Sequence, residues 1–199
     1  MSTVPELSPL TPRAAEIVSA ARVLLEEEGR DALTVRALAD RLGIRAPSLY
    51  KHFSDKAAVE AALMERGLAE TGAALHAALD AARHATPPGE PIGAVLRAYR
   101  RIGLAHPNLY RLTTSGPLPR QRLAPGLEEW AGTPFFLAAG EPYLAQALWS
   151  FAHGMVILEL DGRYPDGSDL DRTWAEGAHA FTARRLRGSV ERPGAEAQG

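Results

Sequence analysis

A dense set of hydrogen-bond donors lies between residues 34 and 56 of this chain, in the segment TVRALADRLGIRAPSLYKHFSDK. Tyrosine, lysine and histidine side chains donate hydrogen bonds to phosphates, which fix the register of a protein on a nucleic acid. Arginine bonds guanine in a bidentate manner, and small apolar groups can touch a thymine methyl group. Five basic residues minus two acidic residues give this segment a formal charge of +3, whereas the whole chain carries −2. These residue types indicate contact with a nucleic acid.

Two short helices joined by a tight turn would present these side chains together. Thr34 is a predicted N-cap for a helix that runs to about Leu42, and Gly43 supplies the turn. Pro47 then begins another helix, which ends near Phe53. This is the layout of a helix-turn-helix, whose second helix enters the major groove of double-stranded DNA.

The candidate DNA contacts divide by chemistry into two groups. The phosphate contacts are Tyr50, Lys51, His52 and Lys56, and base readout falls to Arg36, Arg45, Ala46, Pro47, Ser48 and Lys51. Thr34 completes the DNA-binding set. Arg36 could instead form an ion pair with Asp40, four residues further on. Lys56 could be no more than a solvated charge, and Arg45 a tolerated surface residue.

The composition excludes several other kinds of chemistry. The chain has no cysteine, so it has no disulfide and no cysteine-ligated zinc. No His-Glu-x-x-His pattern, phosphate loop or Gly-x-Ser-x-Gly motif occurs in it. We therefore expect no enzymatic activity, no cofactor and no metal site. The first residues lack the basic-then-apolar run of a signal peptide, which favours a cytoplasmic protein.

Helical spacing of apolar residues continues through the rest of the chain without β-alternation, which predicts an all-α fold of about nine helices. A long helix at 55–83, capped by Ser54, links a DNA-binding domain at 11–56 to a second domain at 57–187. Flexible tails are predicted at 1–10 and 188–199. Further helices are predicted at 91–105, from 107, and at 125–139, 142–160 and 169–186.

The segment 142–160 is apolar on nearly every face, so it must be buried on more than one side. A membrane span is the competing interpretation, but four residues interrupt the apolar run, namely Gln146, Ser150, His153 and Glu159. Burial against its own domain and against a second subunit would cover the whole helix, which predicts a homodimer. Two-fold symmetry would then place two recognition helices about one DNA turn apart.

Residues 34–56 resemble the tetracycline-repressor (TetR) family of transcription regulators through the pattern Thr-x-x-x-Leu-Ala-x-x-Leu-Gly-Ile-x-x-Pro-Ser-Leu-Tyr-x-His-Phe-x-x-Lys. This resemblance covers roughly residues 11–64. The segments 106–112 (HPNLYRL) and 149–154 (WSFAHG) are similar to a WHG-type C-terminal domain found in a subset of that family. The resemblance implies a three-helix DNA-binding domain, a helical ligand-binding and dimerisation domain, and a palindromic operator.

The C-terminal domain carries the candidate ligand pocket and dimer interface. The predicted pocket residues are Tyr99, Tyr110, Trp130, Phe135, Phe136, Trp149, His153 and Met155. The predicted interface residues are Ser150, Gly154, Ile157, Trp174, Ala178 and Phe181. Aromatic residues at helical spacing are also typical of ordinary core, and the polar line Gln146–Ser150–His153 could be an internal hydrogen-bond network. Glu159 and Arg163 are the nearby charges of interest.

These patterns together predict a ligand-responsive dimeric repressor. It would bind a palindromic operator and be released by a small apolar or amphipathic effector. A regulator without an effector, or an activator, is the alternative that the sequence leaves open.

Overall fold

The computed structural model describes residues 3–87 and 89–190, and all regular structure within those residues is helical. Nine α-helices and a 3-10 turn at Arg120–Arg122 are found in this part of the chain. The helices are α1 (Pro12–Glu28), α2 (Val35–Arg41), α3 (Ala46–Leu49), α4 (Lys56–His84), α5 (Pro91–Ala105), α6 (Pro107–Thr114), α7 (Leu127–Ala139), α8 (Pro142–Leu160) and α9 (Leu170–Val190). The predicted all-α class is confirmed.

The chain divides into two compact units. Among the described residues, the first unit holds 3–73 and 105–131, and the second unit holds 74–87, 89–104 and 132–190. The predicted boundaries at 11–56 and 57–187 refer to domains that fold as separate units, whereas this division groups residues by their contacts. The predicted domain boundaries therefore stay predictions.

Side-chain caps explain where the first helices begin. The Thr11 hydroxyl accepts a hydrogen bond from the Ala14 amide at 3.2 Å, and the Thr34 hydroxyl accepts one from the Ala37 amide at 3.1 Å. Each cap satisfies an amide that has no partner inside its helix. Gly29 ends α1 at a φ of 84°, a conformation that favours glycine.

The predicted cap of α4 is wrong by one residue. Asp55, rather than Ser54, accepts a hydrogen bond from the Ala58 amide, at 2.7 Å. The Ser54 hydroxyl donates to the Asp55 carboxylate at 3.2 Å instead. Asp55 directly precedes the first residue of α4, so its carboxylate reaches the third amide of the helix, and its charge suits the positive end of the helix dipole.

Buried leucine and isoleucine side chains form the core of the first unit, including Ile17, Leu25, Leu33, Leu38, Leu49, Leu63 and Leu112. The short helix α3 depends on this core, because Leu49 is 1% exposed and Phe53 is 8% exposed. The predicted extension of α3 to about Phe53 is wrong, since the helix ends at Leu49 and a turn follows it.

The start of α6 is capped by a residue of α1. His106 precedes α6 but makes no side-chain cap. The Glu26 carboxylate accepts hydrogen bonds from the Leu109 amide at 2.9 Å and the Asn108 amide at 3.2 Å, and the Asn108 side chain donates to the Glu26 carbonyl at 3.1 Å. A carboxylate at a helix N-terminus satisfies free amides and also interacts favourably with the helix dipole.

Two glycines of α4 allow close helix packing in the first unit. A Cβ at Gly67 would lie 3.0 Å from the Thr113 methyl carbon of α6. A Cβ at Gly72 would overlap the Trp130 ring and lie 2.9 Å from the Cα of Ala131. These glycines therefore let α6 and α7 approach α4 more closely than a side chain would permit.

Aromatic contacts pack the helices of the second unit. Tyr99 of α5 and Phe135 of α7 meet edge to face, with ring centroids 5.4 Å apart. Phe151 of α8 contacts the rings of Trp174 and Phe181 of α9 at 5.9 and 5.6 Å. Such pairs add about 0.5–1.5 kcal/mol to the burial of the rings.

The chain ends differ in part from the prediction. Helix α9 continues to Val190, beyond its predicted end at 186. The flexible tail expected at 188–199 stays a prediction, and 191–199 lie outside the described residues. Residues 3–10 form no helix, but Ser8 donates backbone and hydroxyl hydrogen bonds to the buried Glu65 carboxylate. None of the described helices is sufficiently long and apolar to cross a membrane.

The close approach at Gly72 yields a stability prediction. Gly72→Ala should lower the free energy of unfolding by about 1–3 kcal/mol, because the new methyl group overpacks against Trp130. Gly132→Ala is the matched control on α7, since no atom lies within 4 Å of a Cβ there. The control should raise the free energy of unfolding by about 0.5–1 kcal/mol. Urea unfolding followed by circular dichroism measures both, and equal stabilities would contradict the packing at Trp130.

Candidate functional site

The α2–α3 segment exposes polar side chains to solvent, and apolar side chains beneath them are buried. Leu49 points into the core, while Tyr50, Lys51 and His52 are exposed directly after it. Tyr50 is 54% exposed although it is a large aromatic residue. The structure thus brings the three predicted phosphate donors of this turn together on one surface.

The predicted base-reading residues lie on the same segment but differ in exposure. Arg45 and Pro47 are exposed, whereas Ala46 and Ser48 are half-buried. Arg45 precedes α3 and makes no side-chain cap, as its type predicts. The Thr34 hydroxyl is already engaged in capping α2.

Arg36 retains both of its possible roles. Its side chain is 92% exposed, and its Nε lies 3.9 Å from the Asp40 carboxylate. An exposed ion pair at that distance contributes little to stability. The guanidinium can therefore leave Asp40 at small cost.

Lys56 is held at the start of α4 by two oxygen atoms. Its Nζ donates to the Arg30 carbonyl oxygen at 3.0 Å and lies 3.6 Å from a Glu60 carboxylate oxygen. Glu60 is 7% exposed and bonds the Arg30 guanidinium through both oxygens, at 3.0 and 2.9 Å. Since an ammonium group has three donors, this arrangement orients Lys56 and leaves a proton for a further acceptor.

Sequence reasoning missed the supporting residues of this surface. Glu60 is four residues after Lys56, a spacing that could have indicated an ion pair. Arg122 gave no such signal, although its guanidinium bonds the Asp55 carboxylate at 3.1 Å. That hydrogen bond is the main cause that lowers the pKa of Asp55, with the Ala58 amide contributing next. Asp55 therefore caps α4 as an anion.

The predicted pocket residues do not form one cluster within either unit. Tyr110 and Trp130 belong to the first unit, and the other six belong to the second unit. Within the second unit, Tyr99, Phe135 and Met155 are buried, whereas Phe136 and Trp149 are nearly half exposed. Their ligand-binding roles stay predictions.

A groove of about 290 Å³ lies between α5 and α9 in the second unit. We call it the α5–α9 groove, and its lining residues are Gly93, Leu96, Arg97, Arg100, Asp171, Trp174, Ala175 and Ala178. Two of these, Trp174 and Ala178, were predicted for the dimer interface. None of the eight predicted pocket residues lines this groove.

A charged network closes one end of the α5–α9 groove. The Arg100 guanidinium bonds the Glu159 carboxylate at 2.7 and 2.9 Å and also pairs with Asp171. Trp174 donates its indole N–H to Glu159 at 3.1 Å, and the Arg100 guanidinium carbon lies 5.8 Å from the centre of its ring. The bond to Glu159 is the main cause that raises the pKa of Arg100. The sequence singled out Glu159 but not its partner.

One face of α8 carries apolar side chains into solvent. Tyr143 is 79% exposed and Leu158 is 41% exposed, with Ala147 and Ser150 between them. The Ser150 hydroxyl donates to the Gln146 carbonyl of its own helix at 2.8 Å, so its bond is local. Gly154, Ile157, Ala178 and Phe181, all predicted for the dimer interface, are half-buried, while Trp174 is only 6% exposed.

The described residues contain no group of three or more histidine, aspartate or glutamate side chains that could hold a metal ion.

Comparison with known proteins identifies the family. Residues 17–63 match the family model for bacterial regulatory proteins of the tetR family, and residues 92–181 match the tetracyclin repressor-like C-terminal domain. The HTH-type transcriptional regulator Rv0681 of Mycobacterium tuberculosis (strain ATCC 25618 / H37Rv) is 30% identical over 172 residues, which are 80% of this chain and 75% of that protein. This chain belongs to the TetR family of transcriptional regulators. The predicted resemblance is confirmed.

Two further comparisons concern the DNA-binding segment and the fold of this TetR-family regulator. The tetracycline repressor protein class A from transposon 1721 of Escherichia coli is 52% identical over 54 residues, 27% of this chain and 25% of that protein. A single-residue variant of TetR from Acinetobacter baumannii AYE, crystallised in complex with minocycline, has a TM-score of 0.61 and 24% identity over 90% of this chain and 98% of that chain. The second similarity shows the fold alone.

His153 of α8 yields a prediction of pH dependence. Burial lowers the pKa of His153 below 6.5, so the unfolded chain binds a proton at a higher pH than the folded chain does. The folded state should therefore lose stability as the pH falls from 6.5 through the folded-state pKa, with no further loss from this group below it. His153→Gln should reduce this loss in urea unfolding between pH 7 and pH 5. The exposed His179→Gln variant is the control, and an unchanged pH dependence in His153→Gln would contradict the role of burial.

Proposed function

We propose that this TetR-family regulator is a dimeric repressor that binds a palindromic operator and is released by a small effector. The observation that carries the proposal is the set of exposed hydrogen-bond donors on the α2–α3 segment, which lie over buried apolar side chains. Its local charge of +3 suits a polyanion, while the rest of the chain is acidic.

The geometry supports different roles for the proposed DNA contacts, some to phosphates and others to base edges. Tyr50, Lys51, His52 and Lys56 would bond phosphates and set the register on the duplex. The start of α3 and the exposed Arg36 would face the base edges, where Arg36 can bond guanine. Because Arg30 and Glu60 orient Lys56 beforehand, its phosphate contact would cost little side-chain entropy.

The exposed face of α8 supports the proposed homodimer. Tyr143, Ala147, Ser150, Gly154 and Leu158 recur at spacings of three or four residues, so they lie along one side of the helix. Most of this surface is apolar, and its burial against a second copy would remove it from water. A two-fold interface uses the same patch on both subunits, which also suits a palindromic operator.

Release by an effector requires that the effector binds more tightly to a conformation that cannot hold the operator. The α5–α9 groove supports this part of the proposal, because it offers an apolar space beside charged groups. The related fold crystallised with minocycline is consistent with small-molecule binding by such regulators. DNA retention assays with and without candidate effectors would separate a repressor with an effector from a regulator without one.

The phosphate contacts yield a prediction on DNA affinity. Lys56→Ala should weaken binding to every duplex, and the slope of log affinity against log salt should fall by about one. Tyr50→Phe removes only a hydroxyl, so it should weaken binding without changing the slope. Fluorescence anisotropy with duplexes selected from a random pool measures both quantities.

Two variants control this experiment. Arg163→Ala removes one exposed positive charge from the second unit and should leave the affinity unchanged. Arg36→Ala should alter the ranking of duplexes rather than weaken all of them equally. Unchanged affinity in both Lys56→Ala and Tyr50→Phe would remove the phosphate assignments.

The α8 face yields a prediction on assembly. The wild-type protein should be a dimer in solution, and Ala147→Glu should shift it toward monomer because a carboxylate would be buried opposite its own copy. Ala77→Glu places the same side chain at an exposed position of α4 and should stay dimeric. Light scattering coupled to size exclusion measures the mass, and a monomeric wild-type protein would refute the proposed assembly.

A further inference from the structure

We propose that the α5–α9 groove binds an amphipathic carboxylate, with Arg97 as the partner of the carboxylate and the apolar side chains of the groove around its chain. The proposal deepens the function proposed above, because it names the chemical class of the effector. It rests on the proposed function only for the regulatory consequence of binding.

The groove is built from two facing helices that run in opposite directions. Arg100, near the end of α5, pairs with Asp171 at the start of α9. Glu90, just before α5, accepts a hydrogen bond from Thr182, further along α9, at 3.3 Å. Polar contacts therefore bridge the two helices on either side of the groove.

Arg97 differs from the other charged residues of the groove. The Arg100 guanidinium bonds both the Glu159 and the Asp171 carboxylates, so each of these three groups has a charged partner. Among the described residues, no carboxylate pairs with Arg97, and its side chain is exposed. The groove therefore offers one guanidinium that is free to bond an anion.

Gly93 determines where the Arg97 guanidinium lies. A Cβ on Gly93 would be 3.0 Å from Nη1 of Arg97, so the arginine folds back along α5 over this glycine. Gly93 itself is buried. The absence of a side chain there lets the guanidinium lie against the wall of the groove rather than extend into solvent.

Small residues create the apolar space beside Arg97. Ala175 and Ala178 of α9 face Leu96 of α5, and the Trp174 ring is fixed by its N–H bond to Glu159. The volume of about 290 Å³ equals that of roughly ten water molecules. The eight residues from Gly93 to Arg100 span about 10 Å along the helix. These dimensions suit a carboxylate with a chain of medium length.

The Arg97 guanidinium favours an anionic head group in the ligand. A carboxylate can bond the Arg97 guanidinium through two parallel N–H···O contacts, which are stronger than neutral hydrogen bonds. An ammonium head group would be repelled by Arg97, which carries the same charge. The nearby Asp171 and Glu159 carboxylates already form ion pairs with Arg100. An alcohol would gain only a single hydrogen bond.

Calorimetric titration of the full-length protein with octanoate, octan-1-ol and octylamine tests this proposal. Octanoate should bind at least tenfold more tightly than the other two. Arg97→Gln should weaken octanoate binding about tenfold or more and leave octan-1-ol binding unchanged. Arg101→Gln is the matched control, because it removes the same charge from the next turn position of α5 and does not line the groove. Its octanoate affinity should equal that of the wild type.

A second variant tests the apolar part of the groove. Ala175→Leu fills space at an exposed position and should weaken octanoate and octan-1-ol alike, with an unchanged circular dichroism spectrum. Any of three results would overturn the proposal. These are no octanoate binding, equal octanoate affinity in Arg97→Gln and the wild type, or an affinity for octylamine equal to that for octanoate.

DNA binding measured in the same preparations separates the two proposals. If octanoate fails to bind while the selected duplex is held normally, the groove assignment fails and the repressor proposal stands. If octanoate binds in the groove but does not release the duplex, the site stands and its role as the effector site fails. If the protein holds no duplex, the proposed function fails whatever octanoate does.

Discussion

The burial of Leu49 and Phe53 is the constraint on which the DNA-facing surface depends. A helix of four residues cannot form alone, because helix nucleation fixes several dihedral angles for a single hydrogen bond. In this protein the leucine is almost fully buried, and the amides of His52 and Phe53 bond back to its carbonyl at 3.0 and 3.1 Å. Tyr50 and Lys51 are displayed because the residue before them is anchored. The polar chemistry of the site is therefore set by apolar packing.

The second unit combines apolar packing with a buried ionic contact in a different way. Glu159 interrupts an apolar helix, and its side chain is 12% exposed. It is tolerated because Arg100 and Trp174 together supply its hydrogen bonds. Removal of one partner from such a contact leaves an uncompensated charge, so the three residues act as a set. The same set holds the Trp174 ring in place beside Ala178.

Local features of the chain could be predicted from sequence, and long-range pairings could not. Helix α8 runs from Pro142 to Leu160, as expected, because proline and an apolar run define it within a few residues. The prediction of Ser54 rather than Asp55 as the cap of α4 was wrong, because both residue types can cap a helix and only the exact register distinguishes them. The contact between Arg100 and Glu159 joins positions 59 residues apart. The exposure of Trp149 likewise depends on which neighbours cover it, and no pattern along the chain reports this.

The cap that Glu26 provides for α6 has a consequence for protein engineering. A chimeric regulator could be made by exchanging the DNA-reading module at a single junction within the long helix α4. Here such an exchange would take α1 from one parent and α6 from the other, and the new α1 would have to present a carboxylate at position 26 to the Asn108 and Leu109 amides. A junction that carries residues 105–131 together with the N-terminal helices keeps donor and acceptor in the same parent.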